Sequence, residues 1–269
     1  MFQTAFGRIL SDIITPSRSL DLKIFIDAGG KAGHSRVWGG LAVIGNNEMN
    51  WLEETLNELG ENNKKSISPD GELKGRNIPT VEIQATGNKI INEDRRILFW
   101  ANFLPEWDSE SAQKLTLHLE KILKDLRPNP HNINQIKVEN NQNTNTDYFS
   151  NILVPINKYK VLSIIIHIQW IISEIKKTNI GQQLKSVTIE IDRENFPNEK
   201  ICSKLIKDFF ASGLQSSGMD ITLTGKAYKE NADEGAVKVN TSGDSKKSIG
   251  INFVDILLQD VLRKSLPIS

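Results

Sequence analysis

The chain has 269 residues, of which 38% are hydrophobic and 25% are charged, which is typical of one large globular domain. Its 33 basic and 33 acidic residues give a formal net charge of zero, which disfavours a protein that coats nucleic acid nonspecifically. The single cysteine, Cys202, excludes an intramolecular disulfide and a cysteine-cluster zinc site. The first residues lack a secretory signal pattern, so we expect a reducing, cytoplasmic setting.

The N-terminal part of the chain predicts a lead-in followed by a β-hairpin. Residues 1–20 read as a short amphipathic stretch broken by a proline. An apolar strand is predicted for Leu22–Asp27, and the glycine pair that follows permits a sharp exit. A second apolar run, Arg36–Ile44, is close enough to pair with it in antiparallel fashion. Gly39 and Gly40 inside that run indicate a bulge or a close backbone approach.

The next stretch places an acidic and a basic residue in a tight turn. A helix is predicted for Met49–Leu59 and a polar loop for residues 60–71. Glu72 and Lys74 then lie between two glycines, a spacing that is more often a surface turn than a site. A short strand is expected at residues 77–84.

The middle of the chain predicts two helices and a long connection. The helices are expected over Asn88–Phe103 and Ser109–Leu126. Residues 128–147 are rich in asparagine and proline, with a possible short strand at Ile133–Val138. We therefore expect a helical or loop insertion around residues 88–150.

The most hydrophobic helix is predicted for Lys158–Lys177, and its unbroken apolar run is too short to span a bilayer. His167 in its middle is expected to be a hydrogen-bonded core histidine rather than a ligand. Strict alternation over Ser186–Arg193 then predicts a strand that carries Glu190 and Asp192 on one face.

The C-terminal part predicts a helix at about Asn198–Gly213, a strand at Met219–Thr224, a polar stretch at residues 229–248 and a last helix over Ile249–Lys264. Asp255 lies inside the apolar frame of that last helix. A carboxylate there is costly to bury without a partner or a cation, although most helical charges are simply solvated.

Four carboxylates, Asp27, Glu72, Asp192 and Asp255, thus stand near element ends or in apolar frames. Oxygen ligands of this kind suit Mg²⁺ or Mn²⁺, and a pair of such ions about 4 Å apart can cleave phosphodiesters. The alternative is that all four are surface residues, because periodicity does not show whether they meet.

Taken in order, these motifs resemble the DUF3800 family. That family typically shows an Asp-Glu-Ser-Gly motif, a glycine-rich second strand, a Glu-Leu-Lys motif, a strand-borne Asp, and a Ser-Lys stretch leading into a helix with an Ala-Asp pair. The counterparts in this chain are Asp27-Ala28-Gly29-Gly30, Trp38-Gly39-Gly40, Glu72-Leu73-Lys74-Gly75, Asp192, Asp244-Ser245-Lys246-Lys247 and Val254-Asp255. Ala28 and Lys31 depart from the pattern, since acids are common at both places in the family.

The resemblance implies an α/β fold, a ribonuclease H-like mixed sheet flanked by helices, in a single domain over residues 1–269. It also implies a nuclease that uses Mg²⁺ or Mn²⁺, as two ions, on RNA or DNA. The implied metal ligands are the four carboxylates, and Lys74 and Lys246 would orient the scissile phosphate. The alternative is a catalytically silent scaffold or interaction subunit with the same fold. A protein partner or homo-oligomer is possible, and no membrane partner is expected.

Overall fold

The structure of the protein is a computed structural model. The described residues are 2–7, 20–29, 36–93, 95–104, 110, 113–114, 117, 155–177, 180, 184–193, 203, 206–207 and 237–265.

The centre of the molecule is a six-stranded mixed sheet in the order β1-β4-β3-β2-β5-β6. β2, β3, β4 and β1 pair with one another in antiparallel fashion, whereas β5 runs parallel to β2 and β6 runs parallel to β5. The strands, from β1 to β6, are Phe2–Gly7, Leu20–Gly29, Arg36–Ile44, Ile97–Leu104, Leu184–Asp192 and Val237–Gly243.

Helices cover both faces of the sheet, so the predicted α/β architecture with a mixed sheet flanked by helices is confirmed at that level. Because strand side chains alternate, Ile24 and Ile26 pack against α3, while Phe25 packs with α1, α2 and α4 on the opposite face. The helices whose bounds the structure describes are named α1 to α4 and span Asn46–Asn62, Thr80–Asn92, Pro155–Lys176 and Ile249–Ser265. Short 3₁₀ turns lie at Lys64–Ser66 and Gly75–Asn77.

The predicted hairpin is confirmed, since β2 and β3 pair without interruption from Leu22 with Ile44 to Gly29 with Val37. The glycine pair in β3 marks close approaches and no bulge. A Cβ at Gly39 would lie 2.6 Å from Leu258 of α4, and one at Gly40 would overlap the Trp100 ring on the other face. Leu258 and Trp100 therefore both reach the sheet backbone through positions without side chains.

Several sequence predictions were wrong. The strand expected at residues 77–84 is instead a 3₁₀ turn and the first turn of α2, which begins just after Pro79. The helix expected over Asn88–Phe103 divides into the end of α2 and β4. Residues 97–101 form a continuous apolar run buried on both faces, which periodicity alone does not separate from a buried helix. The amphipathic lead-in contains β1, and the polar stretch 229–248 contains β6.

Other predictions fall partly or wholly outside the described residues. Positions 110, 113, 114 and 117 are helical, as are 203 and 206–207, within the helices expected at Ser109–Leu126 and Asn198–Gly213. The strands expected at Ile133–Val138 and Met219–Thr224 lie outside the described residues. The insertion around residues 88–150 stays a prediction.

His167 is a core histidine, as expected. It is fully buried on α3, and its Nδ1 accepts a hydrogen bond of 2.5 Å from Nε1 of Trp100. Burial lowers the pKa of the imidazole to about 3, because the charged form would lose its hydration. None of the helices among the described residues combines the length and apolar character needed to cross a membrane.

Candidate active site

The carboxyl edge of the parallel strands places two of the predicted acids side by side. Ile26 of β2 pairs with Ile191 of β5, so the next residues along the ladder, Asp27 and Asp192, are neighbours. Adjacent strands lie about 4.8 Å apart, and residues paired in this way face the same side of the sheet. Asp27 is buried at 7% exposure, and its Oδ1 accepts a 2.7 Å hydrogen bond from the backbone N–H of Ala28.

The helix α4 covers this edge. The side of β2 that carries Asp27 faces α4. Phe25 packs in the same apolar cluster as the α4 residues, and a Cβ at Gly29 would lie 3.0 Å from Leu262 of α4. Leu258 of α4 packs on Gly39, the cross-strand neighbour of Asp27. Asp255 precedes Leu258 by about one helical turn, so α4 carries the fourth predicted acid to the side of the sheet that holds Asp27 and Asp192.

Glu72 is the centre of a contact network between two distant parts of the chain. It is buried at 4% exposure in the turn after residues 68–71. Its Oε1 accepts a 2.7 Å hydrogen bond from Oγ of Ser245, and its Oε2 forms a 2.6 Å ion pair with Nζ of Lys74. The prediction of a surface turn is therefore wrong for Glu72, whose side chain is buried and bonded within the protein.

A segment of the chain, Asp70–Thr80, lies along α4 and holds Glu72 in place. The backbone carbonyl of Leu73 accepts a hydrogen bond of 3.2 Å from Nδ2 of Asn252. Further along, Arg263 donates hydrogen bonds to four oxygens of the segment, at Gly75, Arg76, Ile78 and Thr80. The segment and the helix therefore form one packed unit, although about 180 residues separate them along the chain.

Asp255 meets this segment at Gly75. Its Oδ2 accepts a 3.4 Å hydrogen bond from the Gly75 N–H, and its Oδ1 accepts one of 3.5 Å from Gln259. Burial raises the pKa of the Asp255 carboxyl, and nearby Glu72 raises it further, while the Gly75 N–H and the positive charge of Lys74 oppose the rise. A buried carboxylate with a raised pKa is a common feature of functional sites, because burial leaves its charge incompletely compensated.

Lys246 lies at the solvent-exposed end of the same network, and the sequence did not predict its partner there. It forms an ion pair with Asp70, which also accepts a hydrogen bond from Ser68. The hydrogen bond from Lys246 lowers the pKa of Asp70 to about 2, and the same contact raises the pKa of Lys246. Asp70 and Lys246 are each about half exposed, so this pair closes the outer edge of the network in contact with solvent.

Besides Ser245, two more residues of this region, Ser248 and Glu190, were not predicted as site residues. Oγ of Ser248 donates a 2.7 Å hydrogen bond to Oε2 of Glu190, on the strand beside Asp27. The same serine caps α4 by accepting a hydrogen bond of 3.4 Å from the Ile251 N–H. A serine just before an apolar helix was the sequence signal for this cap, but its contact with β5 depends on the tertiary structure.

The predicted site residues therefore form two adjoining groups. Asp27 and Asp192 lie together at the strand ends, while Glu72, Lys74, Asp255 and Lys246 belong to the network between Asp70–Thr80 and α4. The oxygen donors of both groups suit Mg²⁺ or Mn²⁺. Across the described ranges, however, no three acidic, histidine or cysteine side chains are grouped closely enough to hold a metal ion.

In comparisons with known proteins, no family model and no curated sequence matches this chain. The resemblance to DUF3800 consequently stays a prediction that depends on the motifs themselves.

Proposed function

We propose that the protein is a divalent-metal-dependent nuclease with a ribonuclease H-like fold, acting on the phosphodiester bonds of RNA or DNA. The observation that carries the proposal is the position of Asp27 beside Asp192 at the carboxyl edge of β2 and β5, under the helix that bears Asp255. In open α/β sheets this edge is the usual place for a ligand site, at the point where strand order reverses. The mixed sheet flanked by helices also supports the ribonuclease H-like assignment.

The chain's own residues divide into ligands and positioning groups in this proposal. Asp27 and Asp192 would hold the cation from the strand ends, with Glu72 and Asp255 completing its surroundings. Bound Mg²⁺ or Mn²⁺ would supply an activated water and stabilise the leaving oxygen. Lys74 and Lys246 would orient the phosphate, which requires that each exchange its present carboxylate partner, Glu72 or Asp70, for the substrate.

The test is cleavage of labelled single-stranded RNA, single-stranded DNA and the corresponding duplexes in Mg²⁺, Mn²⁺ or EDTA. We expect cleavage by the wild-type protein with a divalent ion and none in EDTA. Asp27→Asn and Asp192→Asn should each lower the rate by at least about 100-fold, while Asp21→Asn, a change of the same kind on β2 at its opposite end, should retain it. Cleavage that persists unchanged in Asp27→Asn would refute the proposal.

One observation favours the second candidate, a catalytically silent scaffold. Both oxygens of Glu72 already accept hydrogen bonds or ion pairs from within the protein, an arrangement that is complete without a cation. A scaffold of this kind would bind neither ion, so calorimetry with Mn²⁺ separates the two candidates. Heat of binding that is present in the wild type and absent in Asp27→Asn supports the nuclease.

A further inference from the structure

We propose that a strip of basic side chains beside this site binds the phosphate backbone of a single nucleic-acid strand. The proposal rests on the proposed nuclease function, which it deepens by identifying the surface that holds the substrate. The basic strip consists of five residues, Lys64, Lys65, Arg76, Lys247 and Arg263.

Most of the strip is gathered around one hydrogen bond between the two 3₁₀ turns. Oγ of Ser66 donates to the backbone oxygen of Asn77 at 3.0 Å, which brings Lys65 and Arg76, their chain neighbours, to the same place. The backbone pairing continues from there, since the Lys74 N–H donates to the Ser66 carbonyl at 2.9 Å. Lys65 therefore lies across from the segment that carries Glu72 and Lys74.

Arg263 joins the same cluster from α4. Its guanidinium donates to the carbonyl oxygens of Gly75, Arg76 and Ile78 and to the Thr80 hydroxyl. All of these acceptors are neutral, so the positive charge of Arg263 is held in place without being cancelled. These bonds use four of the five guanidinium N–H donors, so Arg263 contributes a fixed positive charge to the strip rather than a two-pronged phosphate contact.

The remaining charges of the strip are also uncompensated. Lys64, Lys65, Arg76 and Lys247 are exposed, and among the described residues none of them forms an ion pair. The acids in the neighbourhood are largely engaged: Asp70 pairs with Lys246 and Glu72 pairs with Lys74. Glu82 is the exception, because its 2.6 Å hydrogen-bond partner Asn63 is neutral and leaves its negative charge in place.

The length of the strip matches a short run of nucleotides. Lys247 lies just before the start of α4, next to Lys246, which contacts Asp70. Arg263 lies near the end of α4. The helix between them is about 21 Å long at a rise of ~1.5 Å per residue. One strand of a duplex carries a phosphate per about 3.4 Å of helix axis, and an extended single strand spaces its phosphates more widely, so this distance corresponds to at most about six nucleotides.

The test measures binding apart from cleavage, with a fluorescent 20-nucleotide single strand of DNA or of RNA in EDTA at several salt concentrations. The variant is Lys64→Glu with Lys65→Glu. The matched control is Lys185→Glu with Lys238→Glu, which reverses two exposed lysines on β5 and β6. Vesicles of equal parts phosphatidylcholine and phosphatidylserine test for a general affinity for anionic surfaces.

We expect the Lys64/Lys65 variant to bind either strand at least about tenfold more weakly at 50 mM salt, with the control within about twofold of wild type. Loss of two phosphate contacts should also flatten the slope of log affinity against log salt by about 1.4. The proposal is overturned by wild-type affinity in the variant, by an equal loss in the control, or by binding to vesicles and to neither strand. The two proposals can fail separately. If the wild-type protein binds in a salt-dependent way, the variant loses this binding, and neither cleaves in Mg²⁺ or Mn²⁺, then the nuclease function is overturned and the strip as a binding surface is supported.

Discussion

Gly75 offers the sharpest test of the packing that holds Glu72 beside α4. It is buried, and a Cβ built on it would lie 2.7 Å from Cα of Ile256, 2.9 Å from Cγ of Gln259 and 3.2 Å from the backbone oxygen of Asp255. Cα of Ile256 belongs to the helix backbone and is not free to swing aside. Gly75→Ala must therefore move the Asp70–Thr80 segment away from the helix, and overpacking of this kind costs about 1–3 kcal/mol.

The measurement is thermal and urea unfolding followed by circular dichroism. For a chain of this size, a loss of 1–3 kcal/mol lowers the Tm by roughly 2–10 °C. The matched control is Gly87→Ala in α2, where a Cβ meets no atom within 4 Å. There the same substitution should raise stability by up to about 1 kcal/mol, because alanine is the better helix former. Unfolding of Gly75→Ala at or above the wild-type temperature would refute the close packing of the segment on α4.

Three further predictions concern single side chains. The folded state keeps His167 neutral, so its contribution to the unfolding free energy should be fully present above pH 6.5. The unfolding free energy should then fall by up to about 1.4 kcal/mol per pH unit as the pH drops towards 3. Urea unfolding at pH 7.5, 6.5 and 5.5 measures this, and the unfolding free energy of His167→Gln should depend less on pH. Asp255→Asn should raise the unfolding free energy at pH 7 by about 0.5–2 kcal/mol, since it removes a buried charge, while abolishing any metal-dependent cleavage; a destabilised variant would contradict this account. Ser245→Ala leaves buried Glu72 without one hydrogen-bond donor and should lower the unfolding free energy by about 1–3 kcal/mol. Ser245→Thr keeps a hydroxyl, so its unfolding free energy should fall by less. Equal unfolding midpoints for the two variants would show that the hydroxyl contributes nothing.

The elements with clear periodicity could be predicted from the sequence. The alternation in β5 and the repeating apolar positions of α4 fixed both elements to within a few residues, and the two apolar runs of the β2–β3 hairpin were close enough to pair. β4 was the main failure. Its residues are apolar on both sides because α3 covers one face of the sheet and α1, α2 and α4 cover the other, and such a run has no period of its own.

The candidate site was predictable as a set of residues and less so as an arrangement. An acid at the end of a strand could be recognised for Asp27 and Asp192, and their adjacency required only the parallel pairing of β2 and β5. The partners of Glu72 could not be found in this way. Ser245 is 173 positions from Glu72 in the chain, so their contact depends on how α4 packs. Asp70 was predicted only as part of the polar loop 60–71, because its pairing with Lys246 likewise depends on the tertiary structure.

The dependence of one sheet face on α4 has a consequence during synthesis of the chain. Phe25, Leu41 and Phe99 pack in the cluster that α4 completes, yet α4 begins about 145 residues after β4 ends. At a translation rate of about 5–20 residues per second, α4 is synthesised roughly 7–30 s after β4, and this apolar surface stays exposed for that time. Until then the nascent protein exposes one apolar face of an incomplete sheet, and Asp27 is not yet covered by α4. A chaperone that shields this face would be most needed in that interval.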